Sequence, residues 1–233
     1  MKKLVYVVIA AILFVSPLSC KKDDPDPSTT LATTAEADAA EDSKSGGVYK
    51  GTLIGSSGII KIVLQKGVKQ IEITLDGVKK TLTTTSLDSW TSGEEIVDAE
   101  FTKDDWTVTF SMDENGETGG IGFNIPGHPN IISVIIKEKS NAQVKAYEGT
   151  YAGDDTGTWN FIEKGGLIYG ASKSSDSSNG SGTFTGALVG TTINIELVGS
   201  SAEVTGTVNG NTVSGTWVVA ADNKGTWTGT RTL

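Results

Sequence analysis

One cysteine and one histidine in 233 residues leave little material for disulfides, metal sites or thiol chemistry. Cys20 has no partner for an internal bridge, so it is a free thiol, an intermolecular link or a modification site. His128 lies in Ile125-Pro-Gly-His-Pro129, a rigid turn in which a solvated imidazole is expected rather than a metal ligand or a base. No Gly-x-Ser-x-Gly elbow is present. Glu163, Glu196 and Glu203 are the carboxylates that a glycan hydrolase would need, but no further motif joins them, and a non-enzyme is expected. Basic residues are also scarce: 19 Lys and Arg stand against 28 Asp and Glu, a net charge of −9. With no basic patch, nucleic acid and direct adhesion of the fold to an anionic bilayer are not expected. Long apolar runs are missing too. The one block, Leu4 to Val15, has 12 residues, against the roughly 20 that a spanning helix needs.

That block follows Lys2 and Lys3 and precedes Cys20, the arrangement of a secretory signal over residues 1–19. An uncleaved anchor is the alternative, which Pro17 and two serines disfavour. Leu18-Ser19-Cys20 resembles the end of a bacterial lipoprotein signal, although Pro17 stands where such signals usually carry an aliphatic residue. The resemblance implies acylation of Cys20 and attachment to a bilayer. Several acyl chains are needed for durable anchoring, and that modification supplies them. Lys22-Asp23-Asp24 resembles the export signal that sends lipoproteins of the Bacteroidetes to the outer face of the outer membrane. Loss of Lys2 and Lys3 with the signal leaves 17 basic and 28 acidic residues, a net charge of −11.

Residues 20–46 read as a lipidated, disordered tether, since residues 21–46 hold one leucine and no aromatic side chain. A flexible chain of that length spans about 28 Å. The remainder reads as all-β. Ile71 to Leu75, Trp106 to Met112 and Ile193 to Leu197 alternate apolar and polar residues. Asp76-Gly77, Asn115-Gly116, Asn179-Gly180 and Asn209-Gly210 supply turn pairs between such runs. The count is about eight strands from Val48 to Lys139 and eight more from Tyr147 to Arg231.

The two halves resemble each other. Tyr49-Lys-Gly51-Thr52 and Lys66-Gly67 recur 98 residues later as Tyr147-Glu-Gly149-Thr150 and Lys164-Gly165. The expectation is two duplicated antiparallel β-meander halves, 47–140 and 146–233, forming small barrels; one larger barrel or sandwich is the alternative. Glycines flank bulky residues at alternate positions, as in Gly149-x-Tyr151-x-Gly153 and Gly225-x-Trp227-x-Gly229. This predicts a tightly coiled sheet with rings filling its inner face rather than a large empty pocket. Gly157-Thr158-Trp159 together with Arg231 resembles the calycin barrels, which implies a ligand at a barrel mouth.

Asp113-Glu114-Asn115-Gly116-Glu117 and Asp154-Asp155 are the places where a structural calcium ion could bind, without the full spacing of a calcium loop. No other cofactor is suggested. Of five tryptophans, Trp106, Trp159 and Trp227 are in phase with core positions, and Trp90 is the one expected nearest solvent. Trp90 is therefore the weak candidate for ligand contact. Two functions fit: a surface module that binds a small molecule, glycan or peptide, or an accessory subunit that docks on a partner protein.

Overall fold

The computed structural model describes residues 31–54, 58–176, 180–220 and 223–233. Cys20, Lys22, Asp23, Asp24 and Asn179 lie outside them.

Short left-handed turns set the fold. Lys66 and Gly67 (φ 54° and 78°) reverse the chain between strands β2 (Gly58–Gln65) and β3 (Val68–Leu75). Asp76 and Gly77 (φ 49° and 77°) do the same between β3 and β4 (Val78–Thr83). Positive φ at both central positions matches the twist of the flanking strands, so each turn continues a meander. With β1 (Gly47–Ile54), β5 (Ile96–Lys103), β6 (Trp106–Met112), β7 (Gly119–Asn124) and β8 (Ile132–Glu138), the first half is an eight-stranded antiparallel sheet. Its order is β7-β6-β5-β4-β3-β2-β1-β8.

The second half comprises β9 (Val144–Gly153), β10 (Gly157–Lys164), β11 (Leu167–Ser174), β12 (Ser181–Val189), β13 (Thr192–Leu197), β14 (Glu203–Asn209), β15 (Thr212–Ala220) and β16 (Asn223–Arg231). These close into a barrel in which β16 pairs with β9. The protein is thus all-β, with two eight-stranded antiparallel halves, one closed and one nearly closed. The repeated motifs occupy equivalent places: Tyr49 lies on β1 and Tyr147 on β9, each the first strand of its half.

Alternation decides the first core. Ile60, Ile62 and Leu64 on β2 and Ile71, Ile73 and Leu75 on β3 are buried, while the residues between them are half-buried. They pack with Tyr49, Leu53, Phe101 and Phe110. Strand β1 is buried along its whole length because its second face meets the other half. There Val144, Ala146 and Ile162 form a small apolar seam with Ile59, Val134 and Ile136. Asn160 donates from Nδ2 to the Leu53 carbonyl at 2.8 Å, tying β10 to β1. Lys50 and Glu138, both fully buried, form an ion pair at 2.8 Å, and Glu138 also accepts from the Val144 N–H.

The expected disordered tether needs correction over residues 32–46. Glu36 bridges Lys50 and Lys61 at 2.7 and 2.6 Å, and its own N–H donates to Glu138. Asp42 accepts twice from Ser140, and a 3₁₀ turn spans Ala39–Glu41. Ser45 is buried, and its carbonyl accepts from the Tyr49 hydroxyl. This segment has little apolar surface to bury; charge-assisted hydrogen bonds to the barrel walls hold it instead. Burial pushes the Glu36 carboxyl up, but hydrogen bonds from Lys50 and Lys61 outweigh it and leave the pKa below its ordinary value.

Candidate mouth of the C-terminal barrel

Rings and glycines shape the inside of the second barrel. The Trp159 ring lies over Gly149 on the adjacent strand β9 and over Gly229 on β16, one strand further; a Cβ at either would come within 2.5 Å of it. Trp227 lies over Gly206 and Gly215 in the same way, and Trp217 over Gly225. A bulky ring can lie flat on the wall only where the neighbouring strand carries no side chain. The glycine pattern therefore works across strands rather than along one. Trp159 and Trp227 meet edge-to-face at 5.3 Å, and Trp159 stacks on Phe161 at 5.1 Å. Their indole N–H groups donate to the Thr150 and Thr205 carbonyls at 3.1 Å, which fixes both rings.

These rings do not fill the barrel, contrary to the expectation of a packed interior. A cavity of about 650 Å³ remains at one mouth, floored by Trp159, Trp227, Phe161 and Phe184. Asp154 and Asp155, between β9 and β10, and Ser200 and Ala202, between β13 and β14, stand around it. Tyr151 and Trp217 form one wall, edge-to-face at 6.1 Å. The Trp217 indole nitrogen is buried without a hydrogen-bond partner among the described residues.

Polar groups gather at the rim. Asp155 accepts from the Ser174 hydroxyl at 2.9 Å, the Thr156 N–H at 2.7 Å and the Tyr151 hydroxyl at 3.3 Å. Asp154 accepts from the Lys224 N–H at 2.9 Å. Burial pushes the Tyr151 phenol up, so it remains a neutral donor. The mouth thus has apolar rings below, each only 1 to 5% exposed, and carboxylate oxygens above.

The other sequence candidates fall elsewhere. Trp90 is half-buried and more exposed than the other four tryptophans, which are 4 to 8% exposed. Its indole donates to the Glu94 carbonyl at 3.1 Å, and Lys69 lies 5.7 Å from its ring centre. It lines neither this mouth nor the gap between β7 and β8. Glu196 and Glu203 are cross-strand neighbours on the exposed outer wall. Glu163 is buried at the far end of β10, beside Lys145 and the Gly166 N–H. None of the three lines this mouth. His128 lies 3.7 Å from Asp76, between two turns of the first half.

The Asp113 carboxylate accepts from the Glu117 and Thr118 N–H groups at 2.8 and 3.1 Å and closes its own turn. Those hydrogen bonds hold its pKa below the usual carboxylate range. Among the described residues, no group of three or more His, Cys, Asp or Glu side chains is arranged to hold a metal ion. Arg231 and Trp159, which carry the calycin resemblance, sit on β16 and β10, the two neighbours of β9. The Arg231 guanidinium donates to the carbonyls of Leu233 and Ala32.

No protein-family model matches the chain, and no curated protein is significantly similar to it. Sequence reasoning put Trp159 and Trp227 in the core by their phase, where they are, left Trp217 unplaced, and singled out Trp90 instead of the rings at this mouth. The glycines opposite each ring were the available signal.

Proposed function

We propose that this protein is a non-catalytic binding module, held by an acylated Cys20 on the outer membrane and facing the cell exterior. Its ligand is a small molecule with a flat apolar face, taken up at the mouth of the C-terminal barrel. The observation that carries this reading is the cavity of about 650 Å³ floored by tryptophan and phenylalanine. Its size lies within the roughly 300–1,000 Å³ of small-molecule sites. The carboxylates of Asp154 and Asp155 at the rim disfavour an anionic ligand and suit a donor group at its outer edge.

Two measurements test the parts separately. Titration with a panel of neutral polycyclic compounds and oligosaccharides should shift tryptophan emission saturably for at least one flat compound. A panel that leaves emission unchanged contradicts the ligand reading. Cys20→Ser should move the chain from the detergent phase to the aqueous phase, and retention in the detergent phase contradicts acylation.

A further inference from the structure

The first half carries a second feature that the binding mouth does not use. Among the described residues β7 pairs with β6 alone, and β8 with β1 alone, so two strand edges face each other unjoined. A gap of about 600 Å³ lies between them, with Phe110, Ile121 and Ile135 along its apolar part. Natural edge strands are usually guarded by charges, prolines or bulges. Charges stand only at one end here: β7 reads GGIGFN and β8 reads ISVIIKE, apolar over its first five residues apart from Ser133 and charged at Lys137 and Glu138.

One end of the gap is basic, although the chain as a whole is acidic. Lys137, Lys139 and Lys164 converge there, with Glu117 the one carboxylate in the lining. The carboxylates nearest Lys137 have partners already: Asp42 is bound by Ser140, Asp113 by its own turn, and Glu41 by Ser92. Burial brings the Lys137 amine down to about 8, and burial together with neighbouring Lys139 lowers Lys164. Lys137 already donates to the Lys44 and Gly46 carbonyls and Lys164 to the Lys137 carbonyl, so an added anion acts on these two through their shared positive field and on Lys139 by contact.

We propose that the gap between β7 and β8 receives an extended segment of a partner protein, apolar at alternate positions and acidic at one end. Only an extended backbone satisfies the ladder groups of both edges, and a segment of about six residues matches their length. Alternate side chains meet Phe110, Ile121 and Ile135, and the acidic end meets the lysines.

The test uses the full chain and synthetic peptides of seven residues alternating valine and threonine, with two aspartates at one end. Adding this peptide should slow amide hydrogen exchange in residues 119–124 and 132–138 while leaving the C-terminal barrel unchanged. A peptide ending in two lysines should bind about tenfold more weakly, and Lys139→Glu should reverse that preference. Exchange elsewhere in the Lys139→Glu variant checks that it is folded. The proposal fails if those amides do not slow, if a proline-interrupted peptide protects them equally, or if charge makes no difference. It also fails if they are protected without peptide in a concentration-dependent way, because a second copy of the chain is then the occupant.

Discussion

In both halves the first strand lies between the second strand and the last: β1 between β2 and β8, β9 between β10 and β16. The C-terminal half also joins its last two strands, β15 ending at Ala220 and β16 starting at Asn223. The N-terminal half separates β7 from β8 by residues 125–131, with two prolines and the buried Ile125. Connection length alone does not part strands, since β4 and β5 still pair at Thr83 and Thr102 across residues 84–95 with the buried Leu87. The same strand order thus occurs in a closed barrel and an open one. Their contents differ as well. Branched aliphatic side chains fill the first half, whereas rings laid over glycines line the second and leave its mouth hollow.

The largest expected effect comes from the contact the halves share. Glu138→Ala takes one of two carboxylates from the buried Lys50 ammonium, leaving Glu36 at 2.7 Å, and deprives the buried Val144 N–H of its acceptor; loss of one partner of a buried pair costs up to about 3–5 kcal/mol. Chemical denaturation should show that loss with both halves still unfolding together. A loss confined to one half would break the comparison, because each barrel would then stand by itself. Glycines give the next effect. Gly149→Ala places a methyl about 2 Å from the Thr228 carbonyl and the Trp159 ring, and should destabilise by about 1–3 kcal/mol. Gly120→Ala, on the open edge β7, meets nothing within 4 Å and should be neutral or slightly stabilising. Equal effects at the two positions would contradict the difference drawn between the interiors. The smallest effect is the removal of acid from the docked segment. Glu36 has a lowered pKa, so its contribution is present above the ordinary carboxylate range and fades as pH falls through its folded value. Glu36→Gln should flatten that part of the stability–pH curve.

Much of the fold was legible in the residues. Alternation in Ile71 to Leu75, the Asp76-Gly77 turn and the paired Tyr-x-Gly-Thr motifs are local signals, and each marks a local structure. The docked segment was not legible, because Glu36 finds Lys50, Lys61 and Glu138 at separations of up to 102 residues. Composition records how little apolar surface such a segment has and is blind to ion pairs made at that range. The hollow mouth was equally hidden. Gly149, Gly229 and Trp159 are on three strands, and only barrel closure brings them together.

The most direct measurement of the central claim is calorimetric titration of the chain and of Ala202→Trp with a flat compound that shifts tryptophan emission. Ala202 stands at the rim of the C-terminal mouth, so the added ring plugs the entrance without entering the core. The account predicts saturable binding to the unmodified chain and its loss in the folded variant. Binding that survives the plug would place the ligand elsewhere and contradict the account.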